Sequence, residues 1–287
     1  MKSYLENLKK PLFGVEKEAK ETIDKYNLID KGEKVVVALS GGKDSTSLIY
    51  VLHKLGYCVE GLMIDLHLGE WSKIHKKNME EFCSELGIKL HIVDLKKEFG
   101  HGICFIKQIV KEKKNLSGCT VCGVIKRWVL NKWAKKFGAD KLATGHNLDD
   151  ECQTVLMNFL KGNIYLGMNS TPSTGIKTKG FAQRIKPFFF TAESEIRKYA
   201  ELMKFPILYD RCPCAIGTYR VETRAWLKEL DSKNKLKIVS GFQKVIPKLR
   251  ERRKEGIVNK CKLCGEPARR IVCNACEMFI CVRNLEE

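Results

Sequence analysis

The run Val35-Val36-Val37-Ala38-Leu39-Ser40-Gly41-Gly42-Lys43-Asp44-Ser45 constrains this chain more than any other stretch. Its β-branched apolar half suits a strand covered on both faces, as in a parallel sheet. Gly41 and Gly42 permit a sharp turn and let the backbone approach a ligand closely. Asp44 and Ser45 fall where helix N-caps fall, and Thr46-Ser47-Leu48-Ile49-Tyr50-Val51-Leu52 continues as a helix. Backbone N–H groups at such a turn, together with the helix dipole, favour a bound phosphate.

The spacing matches neither the common P-loop nor the dinucleotide-binding fingerprint. In its strand–turn–helix context, Ser-Gly-Gly-Lys-Asp-Ser resembles the pyrophosphate loop of the PP-loop ATP pyrophosphatases, which cleave ATP to AMP and pyrophosphate. That resemblance implies ATP contacts from Ser40, Gly41, Gly42, Lys43, Asp44 and Ser45.

Downstream, apolar strands alternate with helical stretches. Cys58 to Asp65 reads as a second strand ending in a carboxylate, followed by a helix from about Trp71 to Leu86. Leu90–Val93 and Lys141–Thr144 read as further strands, with helical segments over 100–114 and from Gly123 to Phe137 between them. Such alternation predicts an α/β fold, a parallel sheet with helices on both faces. In the light of the resemblance it is a Rossmann-like, adenine nucleotide alpha hydrolase-like PP-loop sheet. Ligands in open sheets of this kind bind beyond the carboxyl ends of the strands, where Ser40, Asp65 and Gly145 fall. Residues 163–183 read as a long loop, Arg184–Phe190 as a fifth strand and Ala192–Met203 as a helix. Two basic helices are expected over 218–231 and 236–254. The expected organisation is a helical segment over 1–30, a PP-loop domain over 31–232, a basic helical linker over 233–259 and a cysteine-rich module over 260–287.

The chain of 287 residues carries 52 Lys+Arg against 34 Asp+Glu, a formal charge of +18 that favours a polyanionic partner such as RNA. No apolar run is long enough to span a membrane and no signal-peptide pattern opens the chain, so a cytoplasmic protein is expected. Thirteen cysteines, several in C-x-x-C pairs, point to metal binding rather than to disulfides. Cys58, Cys83, Cys104 and Cys152 stand singly among apolar residues and are expected to be buried; Cys281 receives no role.

Three further clusters bear chemistry. In Gly118-Cys119-Thr120-Val121-Cys122-Gly123-Val124-Ile125-Lys126-Arg127 the cysteine pair precedes a helix and suits a redox pair, a zinc half-site or an iron–sulfur half-site. Lys126 and Arg127 follow within a turn and are expected to lower the thiol pKa values. Thr144-Gly145-His146-Asn147-Leu148-Asp149-Asp150-Glu151 places a histidine and three acids at a strand end. Glu151 reads as a helix-start acid, while Asp149 and Asp150 are candidates for Mg²⁺ or for acid/base work. In the tail, Cys261, Cys264, Cys273 and Cys276 have the spacing of a compact four-thiolate Zn²⁺ site, with basic residues Arg269 and Arg270 between the pairs.

Together with the phosphate loop, Cys-Thr-Val-Cys-Gly-Val-Ile-Lys-Arg, Gly-His-Asn-Leu-Asp-Asp-Glu and a later Cys-Pro-x-Ala block resemble, in order, the TtcA/TtuA branch of tRNA thiolases. The resemblance covers roughly residues 18–230. It implies a [4Fe-4S] cluster on Cys119, Cys122 and Cys212, with Cys214 as the alternative third ligand, and catalytic roles for Lys126 and Asp150. Asp65, Gly145, His146 and Asp149 join the implied ATP site. A tRNA uridine oxygen would attack the α-phosphate, and sulfur delivered at an iron lacking a protein ligand would then displace AMP. The sulfur source is free sulfide or a ubiquitin-like carrier, and family members are often homodimers. Relatives commonly carry another zinc knuckle ahead of the phosphate loop, whereas residues 1–30 contain no cysteine. Three rivals stand beside this reading: a cluster-free sulfurtransferase using a persulfide on Cys119 or Cys122 with a disulfide to Cys212, a zinc-dependent RNA-binding protein with a vestigial ATP site, and, ranked last because it leaves Cys119, Cys122 and the basic tail unexplained, an amide-forming PP-loop ligase.

Overall fold

The computed structural model describes residues 2–174, 182–210, 212, 219–252 and 259–283. After α1 (Ser3–Asn7) and α2 (Val15–Tyr26), the chain enters β1 (Lys34–Leu39), α3 (Lys43–Lys54), β2 (Cys58–Asp65), α4 (Glu70–Glu85) and β3 (Leu90–Asp94). Short α5 (Leu95–Phe99), then α6 (Ile103–Lys114) and α7 (Gly118–Lys136), lead back to β4 (Lys141–Ala143) and α8 (Leu148–Leu160). A 3-10 turn (Ile164–Asn169) precedes β5 (Ser173–Thr174), β6 (Gln183–Ile185) and α9 (Glu193–Met203). Then come α10 (Tyr219–Leu227), α11 (Ser232–Arg252), the short pair β7 (Asn259–Lys260) and β8 (Pro267–Ala268), and α12 (Asn274–Arg283).

The main sheet runs β3-β2-β1-β4-β6-β5, with only the β5–β6 pairing antiparallel. The chain builds outward from β1 through β2 to β3 and then restarts on the other side with β4. The order therefore switches between β1 and β4, and a crevice opens beyond their carboxyl ends. Alternate side chains of β1 feed two cores. Val35, Val37 and Leu39 pack with α2, α3, α4 and α9, while Val36 packs with Leu62, Leu142 and the apolar faces of α6 and α7. That double burial is why the strand reads as an unbroken apolar run.

Several elements differ from the sequence reading. Helix α7 starts at Gly118, because the Ser117 hydroxyl caps it by accepting from the Thr120 N–H; both cysteines of the pair thus lie in its first turns. The strand expected over 184–190 pairs only over Gln183–Ile185. The loop expected over 163–183 holds the 3-10 turn and β5, residues 175–181 lying outside the described residues. Helix α11 packs along α8, burying Val239 and Ile246. Cys83 and Cys152 are buried as expected, but Cys58 and Cys104 are exposed, since they open β2 and α6 at positions facing solvent. Glu151 is no solvent-facing helix-start acid: it is buried and accepts from Lys186 Nζ at 2.7 Å and from the Ser170 hydroxyl at 2.6 Å.

Two close fits hold the crevice walls. A Cβ at Gly145 would lie 2.8 Å from the Asp44 carbonyl carbon and 2.9 Å from the Ser45 nitrogen. Backbone thus meets backbone where β4 leaves the sheet beside the start of α3. On the outer side of α3, buried Glu16 accepts from Lys54 Nζ at 2.8 Å and from the Tyr199 hydroxyl at 2.7 Å, tying α2, α3 and α9 together. Glu16→Ala would leave the Lys54 ammonium buried without its counter-charge, and denaturant unfolding should show a loss of about 3–5 kcal/mol. Gly145→Ala should cost about 1–3 kcal/mol by overpacking against backbone that has little room to give. Hydrogen exchange should then show reduced amide protection in the first turn of α3.

Candidate active site and thiol cluster

No side chain caps α3, whose N-cap position is occupied by Gly42. The first-turn amides are therefore left for another acceptor. Gly41 takes a left-handed φ of +78°, which a side chain would resist. Ser45 braces the loop from beneath: its hydroxyl donates to the Gly42 carbonyl and accepts from the Ser40 N–H, both at 3.1 Å.

Charged groups converge on this uncapped end. Lys43 Nζ sits 2.9 Å from Asp44 Oδ2 and 2.7 Å from Glu193 Oε1. Arg224 of α10 reaches the same Glu193 oxygen at 2.5 Å. Burial pushes the Glu193 carboxyl up, but Arg224 and Lys43 together overcome it and hold the pKa down at about 2. Asp44 shows the opposite outcome. Burial raises its pKa, Lys43 counters only in part, and the Asp150 and Glu193 charges raise it further. Asn147, fully buried, donates to Asp44 Oδ1 at 2.9 Å while its Oδ1 caps α8 by accepting from the Asp150 N–H. Asp149, Asp150, Gln153, Glu193, Arg224, Leu227 and Lys228 line a shallow cleft beside this cluster.

The residues expected at the ATP site have unequal parts in the structure. Asp149 is engaged structurally, accepting from Lys235 Nζ at 2.6 Å and from the Glu193 N–H at 2.8 Å. Asp150 lies within electrostatic reach of Asp44. Asp65 accepts from the His67 N–H at the end of β2, and exposed His146 hydrogen-bonds Thr144. Glu193, Arg224, Lys235 and Asn147 were not singled out by sequence. Only Asn147 left a local signal, an N-cap residue ahead of an acidic first turn.

A second cluster forms at the start of α7. Cys119 is exposed, and Cys122 and Cys212 are half-buried. The Cys122 thiol lies within electrostatic reach of Cys119, Cys212, Lys126 and Lys107. Burial raises its pKa, and the two lysines offset this only in part, so the expected lowering by neighbouring cations is outweighed. Lys107, from α6, packs against Gly118 and had no mark in the sequence. Among the described residues, the one set of three or more candidate ligands with donor atoms all within 4.8 Å is Cys261, Cys264, Cys273 and Cys276. Cys119, Cys122 and Cys212 do not form such a set, although Cys119 and Cys212 both act electrostatically on the Cys122 thiol. Cys214 lies outside the described residues.

The two clusters are joined by chain. Asn78 of α4 donates to the Pro206 carbonyl at 3.1 Å, Asp210 lies near His75 of α4, and Cys212 follows two residues later. His75 in turn sits beneath Gly41 of the phosphate loop. The tail is docked on the opposite face of the sheet. Phe279 of α12 stacks on Phe99 at 4.1 Å, Met278 and Val282 are buried with α6 and α7, and Trp128 Nε1 donates to Cys264 Sγ at 3.4 Å. Although burial pushes it up, backbone N–H groups of Cys273, Cys264 and Leu263 hold the Cys261 thiol down at about 6, poised to give a thiolate. Among the described residues, no helix is long and apolar enough to cross a membrane.

Comparison with known proteins fits this arrangement. The PP-loop domain family ATP_bind_3 matches residues 12–213. A tRNA-5-methyluridine(54) 2-sulfurtransferase from Pyrococcus horikoshii is 34% identical over 267 residues, spanning 92% of this chain and 84% of the relative. The tRNA 2-thiolation protein NcsA of Haloferax volcanii is 32% identical over 288 residues, spanning 92% of this chain and 89% of the relative. Among solved structures, the U34-tRNA thiolase NcsA from Methanococcus maripaludis with its [4Fe-4S] cluster superposes with a TM-score of 0.75 at 27% identity, covering 94% of this chain and 87% of that one. With the phosphate loop, the acidic turn after β4 and the thiol cluster all on one scaffold, the chain belongs to the PP-loop family, in its branch of tRNA 2-thiolation proteins.

Proposed function

We propose that this chain is an ATP-dependent tRNA 2-thiolation enzyme that exchanges the 2-oxygen of a uridine for sulfur. One observation supports the reading: Pro206 is bonded to α4, Asp210 lies near His75 under the phosphate loop, and Cys212 is within electrostatic reach of Cys122. On this reading the nucleotide-activating end and the sulfur-handling end belong to one site. The relatives named above, which act on 5-methyluridine and on U34, support uridine as the base.

The triphosphate sits on the uncapped start of α3, where Lys43 and Arg224 exchange Glu193 for phosphate oxygens. Asp150 beside Asp44 suits Mg²⁺, which takes one or two carboxylates together with phosphate oxygens. The uridine 2-oxygen attacks the α-phosphorus, the bond to the pyrophosphate oxygen breaks, and an adenylated base remains. Lys126, half-buried one turn after Cys122, supplies positive charge for this step. Sulfur then adds at C2, and AMP departs with the former 2-oxygen. Cys119, Cys122 and Cys212 would hold a [4Fe-4S] cluster, which supplies a Lewis-acidic iron without a protein ligand for the incoming sulfur. The tail thiolates would hold Zn²⁺ and so keep α12 docked on α6 and α7. The surplus of Lys and Arg draws in the tRNA. Free sulfide or a ubiquitin-like carrier brings the sulfur, in a cytoplasmic homodimer.

Protein purified anaerobically should carry about four iron and four sulfide per chain. With tRNA it should release pyrophosphate from ATP and yield 2-thiouridine by nucleoside mass spectrometry. Cys119→Ser, Cys122→Ser and Cys212→Ser should each lose iron and thiolation yet still bind ATP. Iron-free protein with full activity would instead establish persulfide chemistry, and absence of any pyrophosphate release would leave an RNA-binding protein. Lys126→Ala should lower kcat by about 10²- to 10³-fold, the scale of removing one transition-state donor. Elemental analysis should find Zn²⁺ bound in the tail. Cys264→Ser should abolish it, lower the Tm and expose the apolar face of α12 to a hydrophobic dye.

A further inference from the structure

His75 has no part in the site described so far, yet its position is unusual. The side chain is only 2% exposed, and neither ring nitrogen makes a well-formed hydrogen bond. A Cβ at Gly41 would lie 2.2 Å from its Nδ1, so the ring fills the space directly under the left-handed residue of the phosphate loop. Trp71 packs on the other side with ring centroids 4.1 Å apart, and its indole nitrogen is also buried without a partner. Leaving buried polar groups unsatisfied costs about 1–3 kcal/mol each, and such costs concentrate at functional sites.

We propose that His75 is a positioning residue for the triphosphate, which takes up a proton when the nucleotide binds and then holds Gly41 from beneath. The inference rests on the reading that the loop binds ATP. Burial favours the neutral ring. Three groups face it: the Gly41 backbone from the loop, the Trp71 ring from its own helix, and Asp210 from the segment leading to Cys212. Gly41 and Asp210 favour the charged form without overcoming burial. A triphosphate on the other side of one thickness of backbone adds several negative charges at close range, which favours imidazolium. The cation would donate from Nδ1 to the Gly41 carbonyl and fix the loop. The pKa of the ring is thus higher with nucleotide than without. The contribution of His75 to affinity is fully present below the nucleotide-free pKa and is lost as pH rises through the nucleotide-bound pKa.

The test is calorimetric titration of the full chain with α,β-methylene-ATP and Mg²⁺ in buffers of different ionisation enthalpy near neutral pH. Wild type should take up a fraction of a proton beyond that taken up by His75→Asn, which cannot be charged. From mildly alkaline to mildly acidic pH, the wild-type-to-variant affinity ratio should rise about tenfold, the effect of a displacement of one pKa unit. His75→Gln serves if the asparagine variant does not fold, and Lys43→Ala should weaken binding at every pH alike. Equal proton uptake in wild type and variant, or a ratio flat with pH, overturns the assignment while leaving ATP binding intact. No binding of the analogue by wild type overturns both this and the function on which it rests.

Discussion

The site depends on an omission: α3 begins without a side chain to cap it. Asp94 caps α5, Ser117 caps α7 and Asn147 caps α8, whereas α2, α4 and α6, like α3, begin at a glycine; what sets α3 apart is its place at the switch in strand order. At α3 the N-cap is glycine, and Ser45, beneath the turn, spends its hydroxyl on the loop itself. The helix therefore presents a positive end that the protein leaves incomplete, at the point where the strand order reverses. Much of the nearby architecture serves to keep that end open. Gly145 lets the turn after β4 press against it without filling it, and Asn147 ties Asp44 back from it.

The electrostatics around that opening are balanced rather than simply cationic. Lys43 and Arg224 share Glu193, and the Asp150 charge acts on Asp44 close by. Both cations share one carboxylate, and Lys43 also keeps Asp44 as a partner, so neither charge at this end stands without a counter-charge.

What the sequence made legible follows from how local each signal is. The strand–turn–helix at 35–52 was readable because burial on both faces, glycine geometry and helix periodicity all act within a few residues. The tail thiols were readable because spacing alone brings them together. Arg224, Glu193 and Lys107 left no comparable trace, since each reaches its site only through packing between elements far apart in the chain. Cys58 and Cys104 misled for the same reason: apolar neighbours in sequence do not reveal that one opens an exposed strand end and the other faces out of a helix. The Cys122 thiol was misjudged because the neighbouring lysines are visible in the sequence, whereas the burial that outweighs them is not.

The docking of α12 has a consequence for how the polypeptide is made. Met278 and Val282 are embedded in the same core as α6, α7 and the inner residues of β1 and β4. The side of α6 and α7 that α12 covers stays open while the ribosome synthesises the more than one hundred residues that separate α7 from α12. The opposite face, closed by α2, α3, α4 and α9, is complete well before. Nascent chains would thus mature in two stages, with the side that carries the thiols the last to become solvent-proof and the more exposed to chaperones in the interval.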